Sequence, residues 1–266
     1  MTTDDAALPT NEERLRVAWD SFTEALTSLG HDALASAPND AERLDGLRFI
    51  LRQLAYREEQ VLEYPGRAAP ELFYAESPTR KVFADCPDTI YHQFNVAPGS
   101  VYRISGTRGA SPYISFTAYR AGVTDRVVAD LHDGEISVDT NGRFELVVGG
   151  PERSSDWLDL GADAAFVIIR EYTHDRRNGI TTTFDVEQLS PDLGHRAELE
   201  TEQLSATLGL LGMGLGWVQA ATVRLSEELR ARPNVMNEAA AELVSEMAGT
   251  PHNHYQLCYV QIEPGQ

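Results

Sequence analysis

Three stretches in the middle of the chain alternate apolar and polar residues with a period of two. They span residues 89–96, 101–106 and 112–119, and each is rich in aromatic and β-branched side chains. Pro, Gly and Ser residues separate them, which predicts three β-strands joined by turns. Because the connections are too short for a helical crossover, we expect the three strands to be antiparallel neighbours.

The alternation gives the predicted sheet one apolar face and one polar face. The apolar positions are His92, Phe94, Val96, Tyr102, Ile104, Ile114, Phe116 and Ala118. The polar positions are Tyr91, Gln93, Asn95, Arg103, Tyr113, Ser115 and Thr117. Two interpretations fit this pattern: a sheet whose polar face meets water, and a pocket lined by phenols and hydroxyls around Arg103.

Further strand signals follow this block. Residues 164–172 contain an apolar run from Phe166 to Ile169, which predicts a central strand covered on both faces. The segment 254–262 alternates well and predicts a strand that returns to the same sheet system. Other strand signals lie at 144–148 and 181–189, and hairpin turns are predicted at 133–134 and 141–142.

Helical periodicity predicts a helical hairpin before the strands and helices after them. Thr10 and Glu13 form a capping box, and apolar residues then recur at helical spacing up to Gly30. A second helix begins near Asn39. We expect this hairpin to cover one face of the sheet, with a partner-docking module as the alternative. The second helix has an apolar stripe of Leu44, Leu47, Leu51 and Leu54, and the later helices are predicted at 200–232 and 235–249.

Together these elements predict an α+β fold with an antiparallel β-sandwich core of jelly-roll type. The expected organisation is one integrated domain. Its segments are a disordered tail at 1–9, a helical hairpin at 10–64, the β-sandwich at 86–190, helices at 200–249 and a returning strand at 254–263.

Several motifs resemble the bacterial domain-of-unknown-function 1214 proteins. They are Cys-Pro-Asp-Thr-Ile-Tyr at 86–91, Tyr-Arg-Ile-Ser-Gly-x-Arg-Gly at 102–109 and Tyr-Ile-Ser-Phe at 113–116, with Trp157-Leu158, Arg170-Glu171-Tyr172 and Asp175 further on. The first motif is also similar to the related 1254 group. The resemblance implies a β-sandwich-like domain with added helices, and it implies no established activity.

The net charge of −19 limits the classes of partner. Nucleic acid and anionic membrane surfaces both require a basic protein surface, so we expect neither as a partner. The only lysine is Lys81, and the abundance of Arg, Ala and Asp is typical of a GC-rich, for example actinobacterial, genome. The N-terminus has neither the basic nor the apolar region of a signal peptide, so we expect a cytoplasmic protein.

Residues 204–223 carry no charge and include four glycines. Their length makes a membrane span conceivable, and Gly212 and Gly216 have the spacing that lets helices approach closely in lipid. The abundance of small residues and the absence of basic residues on the N-terminal side favour a buried helix that lies on the sheet. We therefore expect no membrane span.

The densest charged cluster runs from Arg170 to Arg177. Arg170 shares a predicted strand face with apolar residues, so it would be buried and would need a carboxylate from the protein or from a ligand. His174 beside Asp175 is a candidate general base with an orienting carboxylate, and His92 is a second candidate for proton transfer. The alternative is a structural ion pair beside a solvated loop.

No motif in the sequence dictates a metal or a cofactor. His252 and His254 form the only close histidine pair, and a third ligand such as His174 or His92 would have to come from elsewhere. The glycines follow no dinucleotide-binding order, and no P-loop, nucleophile elbow or zinc-protease motif is present. We expect neither a metal nor a cofactor.

The resulting hypothesis is a protein that binds a small apolar or aromatic molecule bearing an anionic or carbonyl group. Tyr91, Arg103, Tyr113 and Arg170 would hold the polar end of that molecule, and enzymatic activity and homo-oligomerisation stay open. The alternative is a non-catalytic interaction or scaffold protein that uses its amphipathic helices. A binding site requires Arg103, Tyr113 and Arg170 to converge, whereas a scaffold scatters them and exposes an apolar patch.

Overall fold

The computed structural model describes residues 8–64, 69–77, 79–81, 86–122, 126–191 and 199–262. The predicted tail at 1–9 lies almost entirely outside these residues. The helices are α1 (Asn11–Ser36), α2 (Asp40–Glu58, continued by a π-helical turn at Glu59–Glu63), α3 (Thr201–Ala231) and α4 (Glu238–Ala248). The strands are β1 (Phe73–Tyr74), β2 (Thr89–Asn95), β3 (Val101–Thr107), β4 (Tyr113–Arg120), β5 (Val127–His132), β6 (Arg143–Val148), β7 (Trp157–Leu158), β8 (Ala164–Tyr172) and β9 (Thr183–Ser190).

The sequence predicted one integrated domain, and the internal contacts divide the chain into two compact units. One unit contains α1, α2 and α3 as far as Gln219. The other contains the strands, the remainder of α3, α4 and the segment that follows it.

The helical unit begins with the predicted capping box. The Thr10 hydroxyl accepts a hydrogen bond from the Glu13 amide at 3.2 Å, and the Glu13 carboxylate accepts one from the Thr10 amide at 2.7 Å. This reciprocal pair satisfies two of the amides that a helix start leaves free. On α1, Phe22 packs against α3 residues Leu208 and Leu211. The predicted helical hairpin is therefore confirmed, although α1 runs past Gly30.

The predicted leucine stripe of α2 is only partly correct, because Leu44 and Leu51 are exposed. A Cβ added at Gly46 would lie 3.4 Å from the Ala33 side chain, so α2 meets α1 at Gly46. At 100° per residue, Leu44 and Leu51 are rotated about 160° and 140° away from that contact. Ile50 lies close to the contact direction and is buried.

The second unit is a β-sandwich, as the sequence predicted. One sheet has five strands in the order β1-β2-β8-β4-β5, and the other has four in the order β7-β6-β3-β9. Apart from the parallel β6–β7 pair, neighbouring strands are antiparallel. The two inner faces form one core, in which Phe94, Phe116 and Ile169 of the first sheet pack with Ile104 and Leu146 of the second. The predicted α+β class and the sandwich are confirmed.

The predicted pairing of the three central strands is wrong. β2 and β4 flank β8 in the five-stranded sheet, whereas β3 lies in the four-stranded sheet. Short connections exclude a helical crossover, but they allow a strand to pass to the opposite sheet, only about 10 Å away. The apolar residues predicted for one face therefore line both inner faces, and the polar residues are divided between two outer faces.

The segment after α4 is not a strand, in contrast to the prediction for residues 254–262. It lies along the turn that follows α3, where the Asn234 amide donates to the Tyr259 carbonyl at 2.7 Å and the Asn237 amide donates to the Leu257 carbonyl at 2.8 Å. The hairpin predicted at Asp133-Gly134 is also wrong, because Asp133–Glu135 form a single 3₁₀ turn.

Candidate functional site

The outer face of the five-stranded sheet carries ionisable and polar side chains on β2, β4, β5 and β8. We call it the polar face. The strand registers align its residues in rows across β2, β8, β4 and β5. One row contains Tyr91, Arg170, Ser115 and His132, and a neighbouring row contains Gln93, Ile168, Thr117 and Asp130.

Arg170 lies in the middle of the polar face and is only 3% exposed. Its Nη1 donates to the Thr117 hydroxyl at 3.0 Å, and its Nη2 donates to the Tyr119 hydroxyl at 2.8 Å. The guanidinium also lies over the Tyr91 ring, 5.8 Å from its centroid. Burial raises the pKa of Tyr91 and of Tyr119, so both phenols stay neutral at physiological pH. Arg170 is therefore held by protein groups, and its contacts connect the side chains of β2, β4 and β8 on the polar face.

The turn that follows α4 covers the polar face. The Tyr119 hydroxyl donates to the Gly249 carbonyl at 2.8 Å, and the Asn253 amide nitrogen lies 2.7 Å from the Tyr172 hydroxyl. Ser115 and Thr117 beneath this turn are fully buried. The interpretation of a sheet whose polar face meets water is therefore wrong for this part of the molecule.

A buried carboxylate connects this network to a surface histidine. Asp130 Oδ1 accepts from the Thr117 hydroxyl and, at 2.9 Å, from the Thr250 hydroxyl. Its other oxygen, Oδ2, lies 3.2 Å from His252 Nε2, and its side chain is 4% exposed. No hydrogen bond joins these two atoms, so Asp130 Oδ2 is a buried carboxylate oxygen without a hydrogen-bond partner among the described residues, directly beside the His252 ring. Arg170, Thr117, Asp130 and His252 therefore form a continuous chain of polar contacts.

Two further groups lie beside His252. The His132 ring meets the His252 ring edge to face, with centroids 4.5 Å apart. His132 Nε2 lies 3.5 Å from a carboxylate oxygen of Glu135, while His132 Nδ1 accepts from the Gly134 amide at 3.0 Å. One potential ligand atom from each of His132, Glu135 and His252 lies within 4.8 Å of the others. We call these three residues the histidine–glutamate cluster.

Tyr113 forms an aromatic wall next to this cluster. Its ring stacks on His132 at 6.3 Å and meets Tyr172 edge to face at 5.3 Å. Burial and the nearby charge of Asp130 raise the pKa of Tyr113 to about 12. The surface around His132 and His252 thus combines apolar ring surface with two imidazoles and a neutral phenol.

The structure brings three of the four predicted ligand-binding residues to the polar face. Tyr91 and Arg170 are direct partners across β2 and β8, and Tyr113 lies on β4 beyond them. The prediction that Arg103 converges with them is wrong. Arg103 lies on β3 in the other sheet, where it pairs with Glu187 and lies 3.7 Å from Glu145. Its position follows from the passage of β3 to the second sheet.

The predicted dyad of His174 and Asp175 does not form in the described contacts. Asp175 accepts hydrogen bonds from the backbone amides of Arg177 and Asn178 at 2.9 and 3.0 Å, and from the Asn178 side chain. The hydrogen bonds from Asn178 and Arg177 lower the pKa of Asp175. The carboxylate thus stabilises an exposed turn, and no described contact connects it to His174.

His92, the other predicted proton-transfer residue, lies away from the polar face. Its ring contacts Tyr74 and Phe184, at centroid distances of 5.0 and 5.1 Å. Burial lowers the pKa of His92 to about 4, so the imidazole is neutral at physiological pH. The role of His92 in proton transfer stays a prediction.

The sequence did not identify Asp130, His132 and Glu135 as site residues. Asp130 and His132 are two apart on β5, so alternation alone places them on one face. His252 was considered only together with His254. Its proximity to β5 depends on how the turn after α4 packs, and no local pattern reports that packing.

A second polar surface lies along α1 and contains Asp20, Thr23, Glu24, Thr27, Ser28 and His31. These residues come from one face of one helix, and no described contact orients them toward a common point. At the polar face, by contrast, side chains from β4, β5 and the turn after α4 meet through hydrogen bonds.

Among the described helices, α3 alone is long and apolar enough to cross a membrane. Its most apolar window has a mean hydropathy of 1.3, and 28% of that window is buried. Within the helical unit, Leu208, Leu211 and Leu215 of α3 pack against the hairpin. Length and composition alone are weak evidence for a span, so its absence stays a prediction.

Comparison with known proteins supports the fold. The chain is similar to an uncharacterised protein from Burkholderia cenocepacia, with a TM-score of 0.82 and 23% identity over 93% of this chain and 70% of that chain. It also matches the VPA0106 protein from Vibrio parahaemolyticus with a TM-score of 0.32 and 14% identity, over 71% of this chain and 58% of that chain. No protein-family model and no curated protein matches the sequence. The first similarity shows the fold alone, so function has to be inferred from the site.

Proposed function

We propose that the protein binds a small molecule with an anionic or carbonyl group at the edge of the polar face, at the surface around His132. The His132 ring contacts the rings of both Tyr113 and His252. The contact between Asp130 and His252 is the single observation that carries the proposal. In the described part of the chain, Asp130 Oδ2 is buried without a hydrogen-bond partner, and a small rotation of the His252 ring would let Nε2–H donate to it and direct Nδ1 to solvent, as in binding and catalytic sites.

The hydrogen bonds to Asp130 support a preorganised binding site. Thr117 and Thr250 come from the sheet and from the covering turn, and both donate to Asp130 Oδ1. A carboxylate that served only a surface ion pair would not need two buried hydroxyl partners. The rings of Tyr113 and Tyr172 offer flat apolar surface for the body of an aromatic or aliphatic ligand.

The enzymatic form of this proposal assigns proton transfer to His252. With Nε2 facing Asp130, Nδ1 would accept a proton from the bound molecule, and Asp130 would stabilise the imidazolium that forms. This assignment replaces His174 with His252 as the leading candidate. The resemblance to the domain-of-unknown-function 1214 proteins and the cytoplasmic location remain part of the proposal, and neither names a substrate.

A second candidate function is an interaction protein that uses its helices. On α3, Leu210 and Met213 are exposed, and a Cβ added at Gly209 or Gly216 would meet no atom within 4 Å. An open apolar helix face of this kind favours contact with another protein. The polar face plays no part in that function, so the two candidates are separable by mutation.

The test is a protein-observed NMR titration of the full chain with aromatic and aliphatic carboxylates and ketones. We expect weak binders to shift the resonances of His132, Tyr113 and His252, and His252→Ala to abolish those shifts. The matched control is His254→Ala, which removes an exposed imidazole two residues away and should leave binding unchanged. Shifts that persist in the His252 variant, or shifts confined to the helical unit, would contradict the proposal.

A further inference from the structure

We infer that the histidine–glutamate cluster is a binding site for a divalent transition-metal ion. His132, Glu135 and His252 come from three different places: the end of β5, the 3₁₀ turn, and the turn after α4. Their ligand atoms lie within 4.8 Å of one another. An ion with bonds of about 2 Å needs donor atoms roughly 3 to 3.5 Å apart. Side-chain rotations that move the ligand atoms by about 1 Å would therefore complete the site.

The donor set determines which ions fit. Two imidazoles and one carboxylate suit zinc, nickel, copper or ferrous iron, whereas calcium and magnesium prefer oxygen ligands alone. The side chains of His132, Glu135 and His252 are 30%, 50% and 42% exposed. An ion held by three protein ligands at such a surface keeps at least one position open for water or another molecule.

Asp130 supplies an independent reason to regard His252 as a ligand. Metal-binding histidines almost always direct their second ring nitrogen to a carboxylate or a carbonyl, which fixes the ring and raises its basicity. His252 Nε2 lies 3.2 Å from Asp130 Oδ2, which has no hydrogen-bond partner within the described residues, so a small rotation of the ring would let Nε2–H donate to this oxygen and leave Nδ1 to bind metal. Thr117 and Thr250 donate to the other oxygen of Asp130 and hold the carboxylate in place for this contact.

Metal binding would have a visible local consequence at His132. Nδ1 accepts the Gly134 amide at 3.0 Å, and Nε2 faces Glu135. When Nε2 binds a metal as a neutral imidazole, the ring proton moves to Nδ1, which can then no longer accept a hydrogen bond. The Gly134 amide must therefore lose this partner, and the 3₁₀ turn must adjust.

The metal also gives the proposed ligand a binding partner. The open coordination position would attract an anionic or carbonyl oxygen, and the Tyr113 ring would flank the rest of the molecule. This role of the ion rests on the function proposed above, and in the metal-bound protein it replaces proton transfer by His252, because a metal-bound Nδ1 cannot accept a proton. The metal site itself rests only on the geometry of the cluster and of Asp130.

The test is a titration of the metal-free full chain with Zn²⁺ by calorimetry and with Co²⁺ by visible absorption. We expect one ion per chain, a Co²⁺ spectrum with histidine ligation, and a shift of the Gly134 amide resonance. His252→Ala and His132→Ala should each weaken binding at least about 100-fold, and Asp130→Asn about 10- to 100-fold. Circular dichroism in chelator confirms that each variant is folded.

The matched controls are His254→Ala and His174→Ala, which should bind Zn²⁺ as the wild type does. Absence of binding, or binding that survives both His132→Ala and His252→Ala, would overturn the metal site. Benzoate added with and without Zn²⁺ separates the two proposals. If benzoate shifts His252 but Zn²⁺ does not bind, only the metal inference fails, and if Zn²⁺ binds but no carboxylate does, only the proposed function fails.

Discussion

The outer faces of the two sheets carry similar residues, yet they differ in what covers them. The polar face of the five-stranded sheet lies beneath the turn after α4, and its arginine, Arg170, is 3% exposed. The four-stranded sheet carries Arg103, whose side chain is 38% exposed and pairs with Glu187. Both arginines occupy alternating positions in strands, so the local sequence pattern does not separate them.

The difference shows that a polar strand face becomes a candidate site only when another element covers it. The covering turn excludes water, so Arg170, Thr117 and Asp130 hydrogen-bond to one another in a connected network, in which Asp130 Oδ2 alone of these atoms is left without a partner among the residues that the structure describes. On the open face, the ion pair of Arg103 competes with solvent and adds little. Cover therefore turns a common sheet pattern into a defined arrangement of donors and acceptors.

The largest expected effect comes from Arg170→Ala. This change leaves the Thr117 and Tyr119 hydroxyls without their charged donor and opens a cavity in the polar face. We expect the free energy of unfolding to fall by about 3 to 5 kcal/mol, measured by urea denaturation. If the variant fails to fold, Arg170→Lys, which keeps the charge but loses the planar fork, should still be clearly destabilised. A loss below about 1 kcal/mol in both variants would show that the network contributes no stability.

A smaller effect is expected from His92, which lies half-buried on the inner side of the same sheet. Its folded-state pKa of about 4 lies below the ordinary value, so the unfolded chain binds a proton more readily. The native state therefore loses stability as pH falls from about 6.5 to 4, by up to about 3 kcal/mol. His92→Phe should flatten this part of the stability profile, measured by urea denaturation at several pH values. His174→Ala removes an exposed histidine and should keep the wild-type slope, and an identical slope in all three proteins would contradict the burial of His92.

The smallest effect is expected from Arg103→Ala, which acts on the open face. The partners Glu187 and Glu145 are themselves partly exposed, so the free energy of unfolding should change by less than about 1 kcal/mol. Urea denaturation at low and high salt provides the measurement, and the small difference should shrink further at high salt. A loss as large as that of Arg170→Ala would remove the distinction between the two faces.

The sequence predicted the strands and their faces well, because alternation depends on local geometry alone. Phe94, Ile104 and Phe116 were assigned to the core and are buried there. The sequence could not predict that β3 joins the other sheet, since a short connection fits both a hairpin and a passage between sheets. For this reason Arg103 was grouped with Arg170.

The candidate site was harder to predict than the fold. Arg170, Tyr91 and Tyr113 were found through strand alternation, and they do share a face. The contact of Asp130 with His252 joins residues more than one hundred positions apart, and it depends on the packing of an irregular turn against β5. Neither periodicity nor motif spacing indicates that Asp130 and His252 are in contact. The adjacent residues His174 and Asp175 were therefore the pair that the sequence suggested.

The most direct test of this account is the tautomeric state of His252 in the metal-free protein, read from long-range proton–nitrogen NMR correlations of its ring. We expect a proton on Nε2, which lies 3.2 Å from Asp130 Oδ2, and an unprotonated Nδ1. Asp130→Asn should disturb this state, whereas Arg103→Ala should leave it unchanged. A proton found on Nδ1 in the wild-type protein would contradict the central claim that the buried network presents His252 for binding.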